Sequence, residues 1–302
     1  MQRKQDSGVV RKSEERGSSP IRIIASRYHL KDVLGEGGLA TVWQAWDERT
    51  SKDVAVKIPH PDFFDSLVVR SLFSNEVQAL SRIKSPSVVS LLDYGFQQNQ
   101  PFIAMELING ILLSEHQKQL PSPRSLSKML GLFTKICDAV QAAHSAMYVH
   151  RDVKINNLFV IQENGSDHVK LFDFGFAKPF GDDLHDPISP LGTLEYIAPE
   201  QTMERQPADW RSDIYSLGVL FYYMLTDKYP FDFKDRSELV ELHRSAPPVH
   251  LATRKFITDS MTDGVCDLTM RALAKDPKDR FQAVCEMREN LEACISSIPR
   301  AA

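Results

Sequence analysis

Cysteine is scarce: four residues, Cys137, Cys266, Cys285 and Cys294, stand in a chain of 302, with no Cys-x-x-Cys pair and no histidines at metal-ligand spacing beside them. That excludes a disulfide-stapled secreted scaffold and a zinc site of the usual kinds, and the thiols read as reduced and mostly buried. Positive charge is not in excess either, since 36 Lys and Arg against 40 Asp and Glu leave a formal net charge of −4. A chain-wide basic surface for nucleic acid is therefore missing, and any phosphate site has to be local. Long apolar runs are absent too. The longest, Ile214 to Leu225, is too short to cross a bilayer and suits a buried helix. The opening MQRKQDSGVVRKSEERGSSP carries charge but no apolar core of a secretory signal. The expectation is a soluble, cytoplasmic protein with no nucleic-acid partner and no membrane span.

What is present is enough apolar residue, 42% of the chain, to bury a large core in one big domain or two packed lobes. Residues 1–25 mix charge, Ser and Gly without period, and such a segment cannot offset its ordering entropy by burial, so a flexible tail is expected there. From Tyr28 the pattern becomes strand-like in YHLKDVLG, ATVWQAWD and KDVAVKIP, punctuated by glycine-rich and ERTSK turns: an antiparallel meander. Phe73, Val77, Leu80 and Ile83 then recur at helical spacing, with Glu76 beside their stripe. SVVSLLDYGF and QPFIAMELI read as two more strands. Beyond Gly110 helices dominate, beginning with Met129, Phe133, Ile136 and Val140, and a hairpin, NLFVI and HVKLF around ENGSD, interrupts them. Further helices are expected near 212–226, 236–244, 263–274 and 281–295.

Gly35-Glu36-Gly37 alone says little, because Gly-x-Gly most often marks an ordinary turn. Its position between two strands, rather than between a strand and a helix, argues against a Rossmann site and for a hairpin tip whose backbone N–H groups close over phosphates. In Val54-Ala55-Val56-Lys57, alternation turns Ala55 and Lys57 away from Val56 and Ile58 and into the cleft under that loop. A lysine buried there needs an anion, for which Glu76 and nucleotide phosphates are the candidates.

His150-Arg151-Asp152-Val153-Lys154-Ile155-Asn156-Asn157 resembles the protein-kinase catalytic loop, H-R-D-x-x-x-x-N; Asp173-Phe174-Gly175 is similar to D-F-G, and Ala198-Pro199-Glu200 to A-P-E. Five such motifs in order, each in a fitting context, identify residues 28 to 295 as resembling the eukaryotic-like (Hanks-type) protein kinases. Three stretches, SDIYSLGVLFYYMLTDKYPF, RALAKDPKDRF and GTLEYIAPEQ, look closest to the bacterial serine/threonine branch. The implied fold is α+β and bilobal: a small antiparallel β-sheet N-lobe with one helix, then a larger, mainly helical C-lobe. The implied division is a tail over 1–25, N-lobe and hinge over 26–108, C-lobe over 109–296 and a short tail over 297–302.

The resemblance implies ATP and Mg²⁺, with Mn²⁺ possible, as cofactors and a protein with a Ser or Thr acceptor as substrate. It implies that Asp152 takes or orients the acceptor's proton, that Asp173 and Asn157 hold the metal, and that Lys154 neutralises the γ-phosphate while Thr193 contacts Asp152. For the nucleotide it implies Leu34 as an ATP-binding residue, Gly35 and Gly37 over the phosphates, Val42 and Ala55 against adenine, the Lys57–Glu76 pair, and backbone groups of Glu106 and Ile108 after the gatekeeper Met105. Lys154, two residues after Asp152, and Thr193 both mark the serine/threonine class. His150 is expected as a packed side chain, Glu200 as the partner of Arg280, and Asp213 as a brace for the catalytic loop.

Departures from the family pattern are Ala40 where a third glycine is usual, Ile155 in place of proline, and Leu112 near where relatives place a ribose-contacting acid. None removes a catalytic group. Arg151 implies control by an activation-loop charge. Ser189 is the candidate phosphosite, with Asp186 as the rival constitutive charge. Two other classes stay in view: a pseudokinase acting as a nucleotide-binding scaffold, and a small-molecule phosphotransferase, which generally lacks the Gly-Thr-x-x-Tyr to Ala-Pro-Glu segment found here.

Overall fold

The structure, a computed structural model, describes residues 23–121, 123–182, 193–203, 208–255 and 262–298. Its first lobe is a six-stranded antiparallel sheet built from β1 (Ile23–Ile24), β2 (Tyr28–Glu36), β3 (Ala40–Asp47), β4 (Lys52–Pro59), β5 (Leu91–Gln97) and β6 (Gln100–Glu106), in the order β1-β2-β3-β4-β6-β5. Helix α1 (Leu67–Arg82) lies between β4 and β5 in sequence and starts at Ser66, whose hydroxyl accepts the Val69 N–H. Ile23 and Ile24 fall inside the stretch expected as tail, yet they pair with His29 and Tyr28, and Ile24 is buried. A two-residue strand shows no alternation, so its sequence carries no mark of it.

Period-2 patterning sorts the sheet residues onto two faces. Tyr28, Ala45, Val54, Val56, Ile58, Phe102 and Ala104 form a small outer core. The opposite face carries Val42, Ala55, Lys57, Ile103 and Met105, because Val42 pairs with Lys57, Lys57 with Ile103, and Ala55 with Met105. Ile103 and Met105 belong to the main core, which runs on through α1 into the second lobe.

That second lobe holds β7 (Ile111–Leu112), α2 (Leu113–Gln119), α3 (Leu126–Ser145), β8 (Tyr148–Val149), β9 (Leu158–Glu163), β10 (Ser166–Leu171), β11 (Lys178–Pro179), α4 (Trp210–Thr226), α5 (Arg236–Ser245), α6 (Asp263–Ala272) and α7 (Val284–Ser297). The expected hairpin is β9–β10, extended by β7 to a three-stranded sheet, while β8 pairs with β11. Helix α4 is buried nearly all round, capped by Asp209 at its start and ended by Asp227 in the left-handed region. Gly218 lets it lie close to α6, since a Cβ there would stand 2.9 Å from that of Ala272. At the lobe junction Gly110 plays the same part, for a Cβ would meet the Val160 carbonyl oxygen at 2.7 Å.

The segment after α1 is fastened to the second lobe. Val89 N–H donates to Leu171 O at 3.0 Å and Leu171 N–H to Ser87 O at 2.9 Å. Beside them the Lys170 ammonium meets Glu106 Oε1 at 2.5 Å, and the Ser90 N–H donates to the same oxygen.

Candidate active site

Two clusters of charged residues face each other where the lobes meet. The upper one begins with Lys57, turned off β4 by alternation: its Nζ donates to Glu76 Oε2 at 2.7 Å and to Asp173 Oδ1 at 2.9 Å. Burial opposes the lysine's charge, but the Asp173 and Glu76 carboxylates outweigh it, and its pKa lies above the ordinary value. Glu76 is pushed up by burial against the pull of Lys57. Desolvation works against the charge of the partly exposed Asp173, yet Lys57 holds its carboxyl below the usual range. The Asp173 backbone has φ +64°, a region sparsely populated by residues other than glycine.

The lower cluster hangs on the loop between β8 and β9. Lys154 Nζ donates to Asp152 Oδ2 at 2.6 Å and to the Thr193 hydroxyl at 2.8 Å. Asn157 Nδ2 donates to the Asp152 carbonyl at 2.9 Å and to its Oδ2 at 3.0 Å. Burial raises the Asp152 pKa against the opposing pull of Lys154, and the charge on Asp173 raises it further. The two aspartates are thus driven in opposite directions: Asp173 is kept ionised, while Asp152 is made a better proton acceptor. A pair of carboxylates with diverging environments is the usual mark of divided acid–base labour.

Buried groups beneath hold this loop. Asp213 on α4 accepts the His150 and Arg151 N–H groups at 2.8 Å each and bonds His144 Nε2 at 2.8 Å. Burial alone would raise the Asp213 pKa, but the hydrogen bond from His144 and the neighbouring histidines bring it below the ordinary range. His150 is fully buried, packs edge-on against Phe174 at 4.6 Å, and burial lowers its pKa. Glu200 takes Arg280 Nη1 at 2.7 Å and Nη2 at 2.8 Å, together with the Ser212 hydroxyl. These are the places expected for His150, Asp213, Glu200 and Arg280.

Sequence reasoning missed three contributors. His144 is the last-turn histidine of α3, 69 residues from Asp213. Asn75 on α1 bonds the Gly175 carbonyl, and Gln201 donates to the Arg151 carbonyl. Single polar residues on helices and turns have no periodic signature, so nothing in the chain pointed to them.

Above the clusters lie Val42, partly buried, with Ala55 and Met105, both buried. Leu34 stands at an irregularity of the β2–β3 ladder between Val33 and Gly35 and is about half exposed. A Cβ at Gly35 would meet nothing within 4 Å, and one at Gly37 only the Ala40 carbonyl at 3.5 Å. The protein's own packing therefore does not require glycine at Gly35. Ala40 has ordinary strand backbone and a buried methyl, so alanine is unstrained there. Glu106 ends β6, with its side chain held by Lys170 and the Ser90 N–H, and Ile108 packs against the main core. Ser189 and Asp186 lie outside the described residues.

For a metal ion, Asp173 offers carboxylate oxygens, and Asn157 keeps its amide oxygen while its nitrogen is spent on Asp152. Among the described residues no cluster of three or more His, Cys, Asp or Glu could hold a metal alone. Hard oxygen donors in so small a number fit Mg²⁺, which commonly takes one or two protein oxygens and completes its shell with phosphates and water.

A six-stranded antiparallel lobe with one helix, set over a helical lobe with these groups facing across the gap, is the bilobal protein-kinase fold. A comparison with known families matches residues 28–290 to the family described as "Protein kinase domain", and the chain belongs to that family. It is 34% identical over 290 residues to a probable serine/threonine-protein kinase of Streptomyces coelicolor, covering 92% of this chain and 41% of that one. It is 32% identical over 283 residues to serine/threonine-protein kinase Pkn1 of Myxococcus xanthus (91% and 39%) and over 276 residues to a probable serine/threonine-protein kinase of Clostridium perfringens (90% and 38%). The chain spans about two fifths of the length of these relatives. Among the described residues no helix is long and apolar enough to cross a membrane.

Proposed function

We propose that this chain is an ATP-dependent serine/threonine protein kinase that transfers the γ-phosphate to a protein hydroxyl and also phosphorylates itself. One observation carries the reading: Lys154 joins Asp152 to Thr193, while Lys57 bonds both Glu76 and Asp173 across the cleft.

In this reading Val42 and Ala55 enclose the adenine, the backbone at Glu106 and Ile108 bonds its edge, Leu34 contacts the nucleotide, and Gly35 and Gly37 cover the phosphates. Lys57, held by Glu76, binds phosphate oxygens. A bound Mg²⁺, or Mn²⁺ in its place, neutralises phosphate charge and would be held by Asp173 and Asn157. Asp152 accepts the proton of the serine or threonine hydroxyl as its oxygen bonds the γ-phosphorus. The bond from that phosphorus to the bridging oxygen breaks and ADP leaves. Lys154 neutralises charge on the moving phosphoryl group, and Thr193 orients Lys154 and Asp152. ATP as substrate suits a cytoplasmic site of action. Within the chain, 26–108 forms the nucleotide-covering lobe with its hinge and 109–296 the substrate-bearing lobe. Ser189 remains the proposed phosphosite. No observation favours a pseudokinase, and Lys57, Glu76, Asp152, Lys154 and Asp173 are all present.

The test is transfer from γ-labelled ATP with Mg²⁺ to the protein itself and to a generic protein acceptor, wild type beside Asp173→Asn. Label on serine and threonine that disappears in the variant supports the proposal. Label on tyrosine, or none from a wild type that binds nucleotide, overturns it.

A further inference from the structure

We propose that Asn75, immediately before Glu76 on α1, is a positioning residue that fixes the Asp173–Phe174–Gly175 turn and thereby the Asp173 carboxylate. The proposal rests on the reading above, in which that carboxylate holds the metal that accompanies the nucleotide.

Asn75 Nδ2 donates to the Gly175 carbonyl oxygen at 3.2 Å, across 100 residues of sequence. A carbonyl oxygen only accepts, so the amide must turn its nitrogen toward the turn. Two consecutive helix residues thus hold the turn, Asn75 directly at Gly175 and Glu76 through the Lys57 ammonium it shares with Asp173. The helix passes close enough to do so, because a Cβ on Gly175 would lie 3.7 Å from Leu72 Cβ and 3.8 Å from its carbonyl oxygen.

The turn needs holding. Asp173 has φ +64°, a backbone state that persists only where the surroundings over-determine it. Phe174 supplies one anchor, fully buried against His150. Lys57 supplies another through Asp173 Oδ1. That second anchor is the one a metal would compete with, since both draw on the same carboxylate. Asn75 holds the far end of the turn through a carbonyl that takes no part in binding metal or phosphate. Its grip therefore persists when the Lys57 contact is exchanged for the metal, and it links the position of α1 directly to the height of Asp173.

The experiment uses Asn75→Ala, which removes the donor, and Asn75→Asp, which keeps the shape but sets a carboxylate against the Gly175 carbonyl. ADP binding is measured by calorimetry with and without Mg²⁺, alongside backbone amide exchange at Phe174–Ala177 in the metal-free protein and the urea unfolding midpoint. The expected result is a loss of about tenfold in the Mg²⁺-dependent gain in ADP affinity, the size set by one hydrogen bond of ordinary net strength. Affinity without Mg²⁺ should stay at the wild-type level, amide exchange should quicken, and Asn75→Asp should be hit at least as hard as Asn75→Ala. An unchanged Mg²⁺-dependent gain and unchanged exchange overturn the proposal, as does an affinity loss equal with and without Mg²⁺ or one that follows the unfolding midpoint. A wild type that binds ADP more tightly with Mg²⁺ but transfers no phosphate sinks the kinase activity and leaves this test standing. A wild type with no Mg²⁺-dependent gain sinks the Asn75 proposal with it.

Discussion

Two buried ion pairs, Glu200–Arg280 and Lys57–Glu76, use the same kind of charges for opposite ends. Arg280 is fully buried and spends its guanidinium on Glu200 and on the carbonyls of Ala274, Arg211 and Lys275. Its plane also stands over the Tyr215 ring at 4.9 Å. Glu200 is closed off in turn by the Ser212 hydroxyl. Lys57 makes only two of the three hydrogen bonds its ammonium can donate, and one partner, Asp173, is a third exposed. A saturated pair can only hold structure together. A pair with spare donors and acceptors beside a cleft can receive a charged ligand.

That contrast is broken or sharpened by three substitutions, taken from the largest effect down. Arg280→Met leaves Glu200 buried without its cation and should cost about 3–5 kcal/mol of stability. Urea unfolding measures it, and a loss under about 1 kcal/mol would put Arg280 among ordinary surface pairs. Lys57→Met should instead act on chemistry: phosphate transfer falls by roughly 10²- to 10³-fold, as for other preorganised charge-stabilising donors. Its stability loss should stay well below that of Arg280→Met, because Glu76, already pushed upward by burial, can take up a proton. Equal stability losses for the two variants would erase the distinction.

The smallest effect concerns Asp213, whose folded-state pKa lies below the ordinary carboxylate value. Such a group binds its proton more weakly folded than unfolded. Its contribution is therefore complete above the unfolded value of about 3.9 and is lost as pH falls through and below it. Unfolding followed from pH 7 to 3 should show wild type and Asp213→Asn converging at the acid end. A constant gap would mean that Asp213 acts by shape alone.

Much of this was legible in the chain, and the reasons differ from residue to residue. Alternation on β4 placed Lys57 and Ala55 opposite Val56, and the small core of Val54, Val56 and Ile58 agrees. Helical spacing placed Glu76 beside the stripe of Phe73 and Leu80, both buried on α1. The motif resemblance pointed to Asp152, Lys154 and Asn157 on the loop between β8 and β9 and to Thr193 on a separate segment, and the four are joined in one hydrogen-bond network. Asp173 as a second partner of Lys57 was not foreseen, because the contact spans 116 residues and pairs two residues from different motifs. His144 and Asn75 were invisible for a related reason: a lone polar side chain on a helix looks the same whether it meets water or a distant carbonyl. The need for Gly110 likewise depends on where β9 passes, which local sequence does not encode.

The fastening of Ser87 and Val89 to Leu171 has a mechanical consequence. It ties the tail of α1 to the lower lobe and so makes that end a fulcrum for any rocking of one lobe on the other. At about 1.5 Å of rise per residue, Glu76 sits roughly 9 Å up the lever from Arg82 and Leu67 roughly 22 Å. A given rotation therefore displaces the exposed tip at Leu67 and Val68 more than twice as far as it displaces the carboxylate that holds Lys57. A small push on the tip is geared down into a fine adjustment at Glu76.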